Sequence, residues 1–67
     1  MLVESRLKEM REKKGFSQAE LGRKVCITTQ AINAFELGYR DPTCAVLFRI
    51  AKALDCTTDY LLGMDMD

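Results

Sequence analysis

The chain has 67 residues, 48% of them apolar, with a single proline and four glycines, which is enough for one small core and too little for two. Ten basic side chains face ten acidic ones and histidine is absent, which argues against a Ser–His or Cys–His relay and against the usual zinc ligand sets. Met1-Leu2-Val3 gives way at once to Glu4 and Arg6, and no apolar run approaches a bilayer-spanning length, so neither a secretory leader nor a membrane segment is expected.

The patterning predicts five short helices and no strand. Helix 1 is expected from Val3 or Glu4 to Lys14, with Val3, Leu7 and Met10 on one stripe and Gly15 as its stop. Helix 2 has a dense start signal. Ser17 and Glu20 have the spacing of a capping box, and Phe16 and Leu21 that of a hydrophobic staple. It is expected to run to Lys24 or Val25, and Cys26-Ile27 forms a turn. Thr28 then caps helix 3, with Ile27 and Ile32 repeating the staple spacing. In helix 3, Ile32 and Phe35 are expected in the core, with Ala31 allowing close approach to helix 2. Thr29, Gln30, Asn33 and Ala34 are left on the outer side. Gly38 ends the helix, and Tyr39-Arg40-Asp41-Pro42 is a loop. Thr43 caps helix 4, whose Leu47, Ile50, Ala51 and Leu54 repeat without a fault, while Phe48 falls off that stripe. Asp55-Cys56 makes the next corner, Thr57 caps helix 5, and Gly63 stops it. The whole of 1–67 reads as one domain, with a core over 3–63 and a short tail over 64–67.

Charge is unevenly placed. Residues 1–40 hold eight basic groups against five acidic ones, and residues 41–67 hold two against five. A neutral total therefore conceals a positive half and a negative half, and it is the local field that steers a polyanion. Cys26, Cys44 and Cys56 are odd in number and show no C-x-x-C spacing, so they are expected as reduced thiols with no metal site. No carboxylate pair stands in an apolar setting and no glycine-rich phosphate loop is present, so no enzyme and no cofactor are expected.

Two helix starts eleven residues apart, at Ser17 and Thr28, make the tight corner of a helix-turn-helix unit. In order, the chain carries Arg11, Ser17-Gln18-Ala19-Glu20-Leu21, Thr28-Thr29-Gln30, Ile32, Phe35-Glu36, Gly38, Pro42, Ile50-Ala51-Lys52-Ala53-Leu54 and Asp59-Tyr60-Leu61-Leu62. Over roughly residues 5 to 63 this resembles the helix-turn-helix family of lambda-type repressors and Cro, the XRE-like regulators. The resemblance implies a compact all-α domain of five helices that binds double-stranded DNA as a homodimer, with residues 28–37 as the recognition helix. It implies base contact by Thr29, Gln30, Asn33 and Ala34. It also implies a phosphate contact and a bracing role for Gln18, a structural salt bridge between Arg11 and Glu36, and a backbone approach by Arg40. One position departs from the pattern. Cys26 stands where the family usually has glycine, at a turn that often needs positive φ, so strain or an altered turn is expected there.

The residue types suit that task. Glutamine and asparagine amides can pair with adenine in the major groove, threonine can donate, accept or meet a thymine methyl, and alanine offers apolar contact. Thr28 and Thr43 cap helix ends whose N–H groups suit phosphate. Arg40, Lys14, Arg23 and Lys24 are the cationic candidates for the backbone. One recognition helix reads only about 4–6 base pairs, so a homodimer on a pseudo-palindromic operator is the expected route to specificity. Phe48, Tyr60, Leu62 and Met64 are the expected dimer contacts, although closure of the protomer's own core is favoured for Tyr60. The expected function is a cytoplasmic, sequence-specific transcriptional regulator, with repression as its expected sense and no small-molecule ligand. The competing reading is a protein-interaction module such as the antitoxin of a toxin–antitoxin pair.

Overall fold

A computed structural model describes the backbone of residues 2–62 and the side chains of residues 6–62. Among the described residues the chain forms five helices: α1 (Leu2–Lys13), α2 (Gln18–Val25), α3 (Thr29–Leu37), α4 (Cys44–Ala53) and α5 (Thr58–Leu62). The five-helix expectation holds, with α1 starting at Leu2 and stopping one residue before Lys14. The expected side-chain roles of Val3 and Met64 lie outside the described residues, as does the stop at Gly63.

The helices start where short polar side chains can satisfy their free N–H groups. Ser17 Oγ accepts from the Glu20 N–H at 3.1 Å and Glu20 Oε1 accepts from the Ser17 N–H at 2.8 Å, completing the capping box. The Ser17 N–H foremost, and the Ser17 side chain after it, hold the Glu20 carboxyl below its ordinary pKa. Thr28, Thr43 and Thr57 accept in the same way from Ala31, Val46 and Tyr60. Each such cap contributes about 1 kcal/mol.

The ends of α1 to α4 share one device. The residue after the last turn takes a left-handed conformation, and the following N–H reaches back five residues to a helix carbonyl. Phe16 N–H bonds Arg11 O at 3.1 Å, Ile27 bonds Gly22 at 2.8 Å, Tyr39 bonds Ala34 at 2.9 Å and Cys56 bonds Ala51 at 3.0 Å. This is the Schellman closure. Its left-handed residue is glycine at Gly15 and Gly38, but Cys26 (φ 61°) and Asp55 (φ 56°) hold the same conformation with a Cβ. The expectation at Cys26 resolves in favour of a normal tight turn carrying a strained residue. A non-glycine left-handed residue costs on the order of 1 kcal/mol or more, while glycine gives some of that back as unfolded-state entropy. Cys26→Gly is therefore expected to stabilise the domain by about 0.5–1 kcal/mol, read as a raised thermal midpoint.

With ends fixed, the apolar stripes converge. Leu7, Leu21, Ile32, Ile50, Leu54 and Leu61 are fully buried, with Val25, Phe35, Leu47 and Ala51 around them. Helix α1 packs on α3 and α5, α2 on α3 and α4, and α4 on α5. Phe16 and Ile27, the outer halves of the two staples, and Cys56 at the α4–α5 corner lie partly buried against this core. The Cys56 thiol is pushed up in pKa chiefly by burial, which keeps it protonated.

Candidate nucleic-acid interface

The site is anchored from inside. One turn after Leu7, helix α1 places Arg11 where a further apolar residue would continue the stripe, and Arg11 is only 8% exposed. Helix α3 brings Glu36, 9% exposed, to meet it. Arg11 Nε donates to Glu36 Oε2 at 2.6 Å and Nη2 donates to Oε1 at 3.1 Å, a two-point fork. Arg11 Nη1 donates to the Phe16 carbonyl at 2.7 Å. The hydrogen bond to Glu36 outweighs burial and raises the Arg11 pKa further. Among the described residues no buried side-chain nitrogen or oxygen lacks a partner, the condition under which buried charges are tolerated.

Glu36 carries the network outward. Gln18 Nε2 donates to Glu36 Oε1 at 3.0 Å and to Asn33 Oδ1 at 3.2 Å. A carboxylate only accepts, so the amide must turn its NH2 toward Glu36. Gln18 thus ties the start of α2 to the middle of α3. Both of its amide hydrogens are engaged there, and any phosphate contact at this end of α2 falls to the main-chain N–H groups of Gln18 and Ala19, which have no acceptor within the helix.

The outer side of α3 is open. Thr29, Gln30 and Asn33 are exposed and Ala34 is half-buried, while Ala31, Ile32, Phe35 and Glu36 face inward. The four residues expected to touch bases therefore share one ridge. The phosphate candidates are less uniform. Thr28, Thr43, Arg23 and Arg40 are exposed, and the Arg40 guanidinium lies 5.8 Å from the centre of the Phe35 ring, beside the end of α3. Lys14 sits 3.9 Å from Asp55 at the α4–α5 corner, and Lys24 leans over the Phe16 ring at 5.3 Å.

The dimer candidates divide. Phe48 is 59% exposed on the outer side of α4. Tyr60 instead closes the protomer. Its hydroxyl donates to Glu9 Oε1 at 2.8 Å, the Arg6 guanidinium covers its ring at 4.4 Å, and Arg6 Nη1 donates to the Tyr60 carbonyl. These contacts fasten α5 to α1, the closure of the protomer favoured for Tyr60. Leu62 is partly buried against the same core.

Gly22 was not singled out from the sequence. It is buried in α2, and an ideal Cβ there would lie 2.5 Å from the Ile27 carbonyl oxygen. Ala31 is buried as expected, but Gly22 is what lets the chain fold back under α2. A lone glycine inside a helix pattern, six residues before the next N-cap, is the signal that marks such a close approach.

Comparison with known proteins agrees with this geometry. A family described as helix-turn-helix matches residues 7–61. The HTH-type transcriptional regulator ImmR of Bacillus subtilis is 38% identical over 65 residues, covering 97% of this chain and 51% of ImmR. Repressor protein C2 of Salmonella phage P22 is 35% identical over 65 residues, covering 97% of this chain and 30% of C2. The crystal structure of the P22 c2 repressor in complex with a synthetic operator superposes with a TM-score of 0.91 at 35% identity, covering 97% of this chain and 98% of that one. The chain spans about half the length of ImmR and less than a third of C2.

Proposed function

The chain belongs to the helix-turn-helix family, and from that premise we propose that it is a sequence-specific regulator of transcription, a repressor, which inserts α3 into the major groove of double-stranded DNA. The observation that carries this is the division of α3 itself. Its inner side is locked to α1 and α2 through Glu36, and its outer side presents Thr29, Gln30 and Asn33 to solvent as one ridge. Gln30 pairs with adenine, Thr29 meets a neighbouring base, Asn33 reaches the groove one turn further on, and Ala34 supplies apolar contact. The exposed N–H groups at the starts of α2, α3 and α4, with Thr28, Thr43, Arg23 and Arg40, hold the phosphates on either side. Lys14, drawn to Asp55, is the weakest of these candidates.

A single α3 reads too few base pairs for specificity, so the protein acts as a homodimer on half-sites one helical turn apart. Of the expected dimer residues, Phe48 is the one whose side chain is exposed among the described residues. The protein works in the cytoplasm, without a cofactor, a small-molecule ligand or enzymatic activity.

The test is a titration of the purified protein with duplexes recovered by selection from random DNA, repeated over a range of salt. Gln30→Ala is expected to lose about 1–3 kcal/mol on the selected duplex and to relax preference at one base pair. Arg40→Ala is expected to weaken all duplexes alike and to reduce the salt slope by about 1. Two chains per selected duplex are expected by sedimentation. Absence of salt-sensitive binding to any duplex would overturn the reading.

A further inference from the structure

We propose that Asn33 addresses the major groove as a hydrogen-bond donor only, that Gln18 imposes this polarity, and that the base pair facing Asn33 is therefore selected for guanine over adenine. The inference rests on the placement of α3 in the groove.

Arg11 occupies both oxygens of Glu36, at 2.6 and 3.1 Å, and fixes the carboxylate. A fixed carboxylate accepts and cannot donate, so the Gln18 amide is held with its nitrogen toward Glu36, at 3.0 Å. The second hydrogen of the same nitrogen goes to Asn33 Oδ1 at 3.2 Å. The Asn33 carbonyl edge is thus turned back toward α2, and its NH2 is left facing outward from an exposed side chain.

A free asparagine or glutamine matches adenine because it sets its oxygen against the N6 amino group and its nitrogen against N7, both at once. Asn33 cannot present both edges to one base while its oxygen is held by Gln18. Its outward NH2 instead meets acceptors. Guanine offers two, N7 and O6, on a single edge, thymine offers O4, and adenine offers N7 beside a donor that would oppose the amide. Guanine is the best match. Gln30 is exposed and makes no such internal hydrogen bond among the described residues, so it keeps both edges for adenine and the two amides of α3 read different bases.

The experiment is selection from random duplex DNA, carried out in parallel with the parent protein, Asn33→Ala, Asn33→Asp and Gln18→Ala, each checked for an intact thermal transition. The parent is expected to enrich guanine over adenine by about tenfold at one position of each half-site, and Asn33→Ala to abolish that preference and no other. Asn33→Asp still accepts from Gln18 but turns an acceptor outward, so the position is expected to move to cytosine, whose N4 donates. Gln18→Ala frees the amide and is expected to move the preference at that position from guanine to adenine, the base an unconstrained amide matches with both edges. Adenine at the Asn33-dependent position in the parent, or a guanine preference untouched by Gln18→Ala, would overturn the proposal. If the folded parent enriches no sequence at all, the placement of α3 in the groove fails, and this proposal with it. If the parent selects an operator in which no position depends on Asn33, the placement stands and the proposal alone is overturned.

Discussion

Gly22→Val is expected to destabilise the domain by about 3 kcal/mol or more, lowering the thermal midpoint by more than about 12 °C. The obstacle is main chain. A Cβ at position 22 would stand 2.5 Å from the Ile27 carbonyl oxygen and 3.6 Å from the carbonyl carbons of Ile27 and Thr28. A crowded side chain can change rotamer, but this oxygen cannot. Ile27 is already pinned by its own N–H, which bonds Gly22 O at 2.8 Å. Room can be made only by moving α3 away from α2, which would open the contacts of Ile32 and Val25 in the core. Gly22→Ala meets the same oxygen with one carbon, and alanine regains about 1 kcal/mol of helix propensity, so a smaller loss is expected. Urea unfolding of the three proteins checks the order. A valine variant that unfolds at the parent's midpoint would show that the turn has slack.

The second large effect is expected at the pair beneath the recognition ridge. Glu36→Leu leaves the Arg11 guanidinium buried with only the Phe16 carbonyl, and Arg11→Met leaves the Glu36 carboxylate with only Gln18. Each single change is expected to cost about 3–5 kcal/mol, because removing one partner strands a buried charge. The double variant, Arg11→Met with Glu36→Leu, is expected to recover most of that loss, since two apolar side chains of similar size fill the space without a desolvated charge. The same double variant is expected to bind its selected duplex more weakly than the parent, because Gln18 has lost the carboxylate that orients it. Chemical denaturation measures the first expectation and duplex titration the second. Single variants within about 1 kcal/mol of the parent would show that the pair behaves as a solvent-screened surface contact.

The elements that were legible in the sequence are those written in local chemistry. A cap hydroxyl, its partner three residues on and a staple across them act within one turn, so Ser17, Thr28, Thr43 and Thr57 each mark a helix start that the structure contains. The inner and outer sides of α3 were legible for the same reason, because periodicity separates Ile32 and Phe35 from Thr29 and Gln30. Less legible were features that depend on two elements at once. Nothing in α2 alone says that Gly22 faces the Ile27 carbonyl, and nothing around Tyr60 says that Glu9, 51 residues earlier, accepts from its hydroxyl. The Arg11–Glu36 pair spans 25 residues and entered only through the family resemblance. The left-handed Asp55 was hidden because aspartate tolerates that conformation better than most side chains and so leaves no glycine to announce it.

The network beneath α3 also divides the residues that evolution can exchange cheaply from those it cannot. Thr29 and Gln30 lie on the exposed side of α3, apart from the hydrogen bonds that join Arg11, Glu36, Gln18 and Asn33. A lineage can rewrite them one at a time and acquire a new operator without first repairing the fold. Position 33 is different, since a new residue there must also come to terms with Gln18, and Gln18 with Glu36. Drift in target sequence should therefore be fast at 29 and 30, and at 33 it should come as paired substitutions with 18.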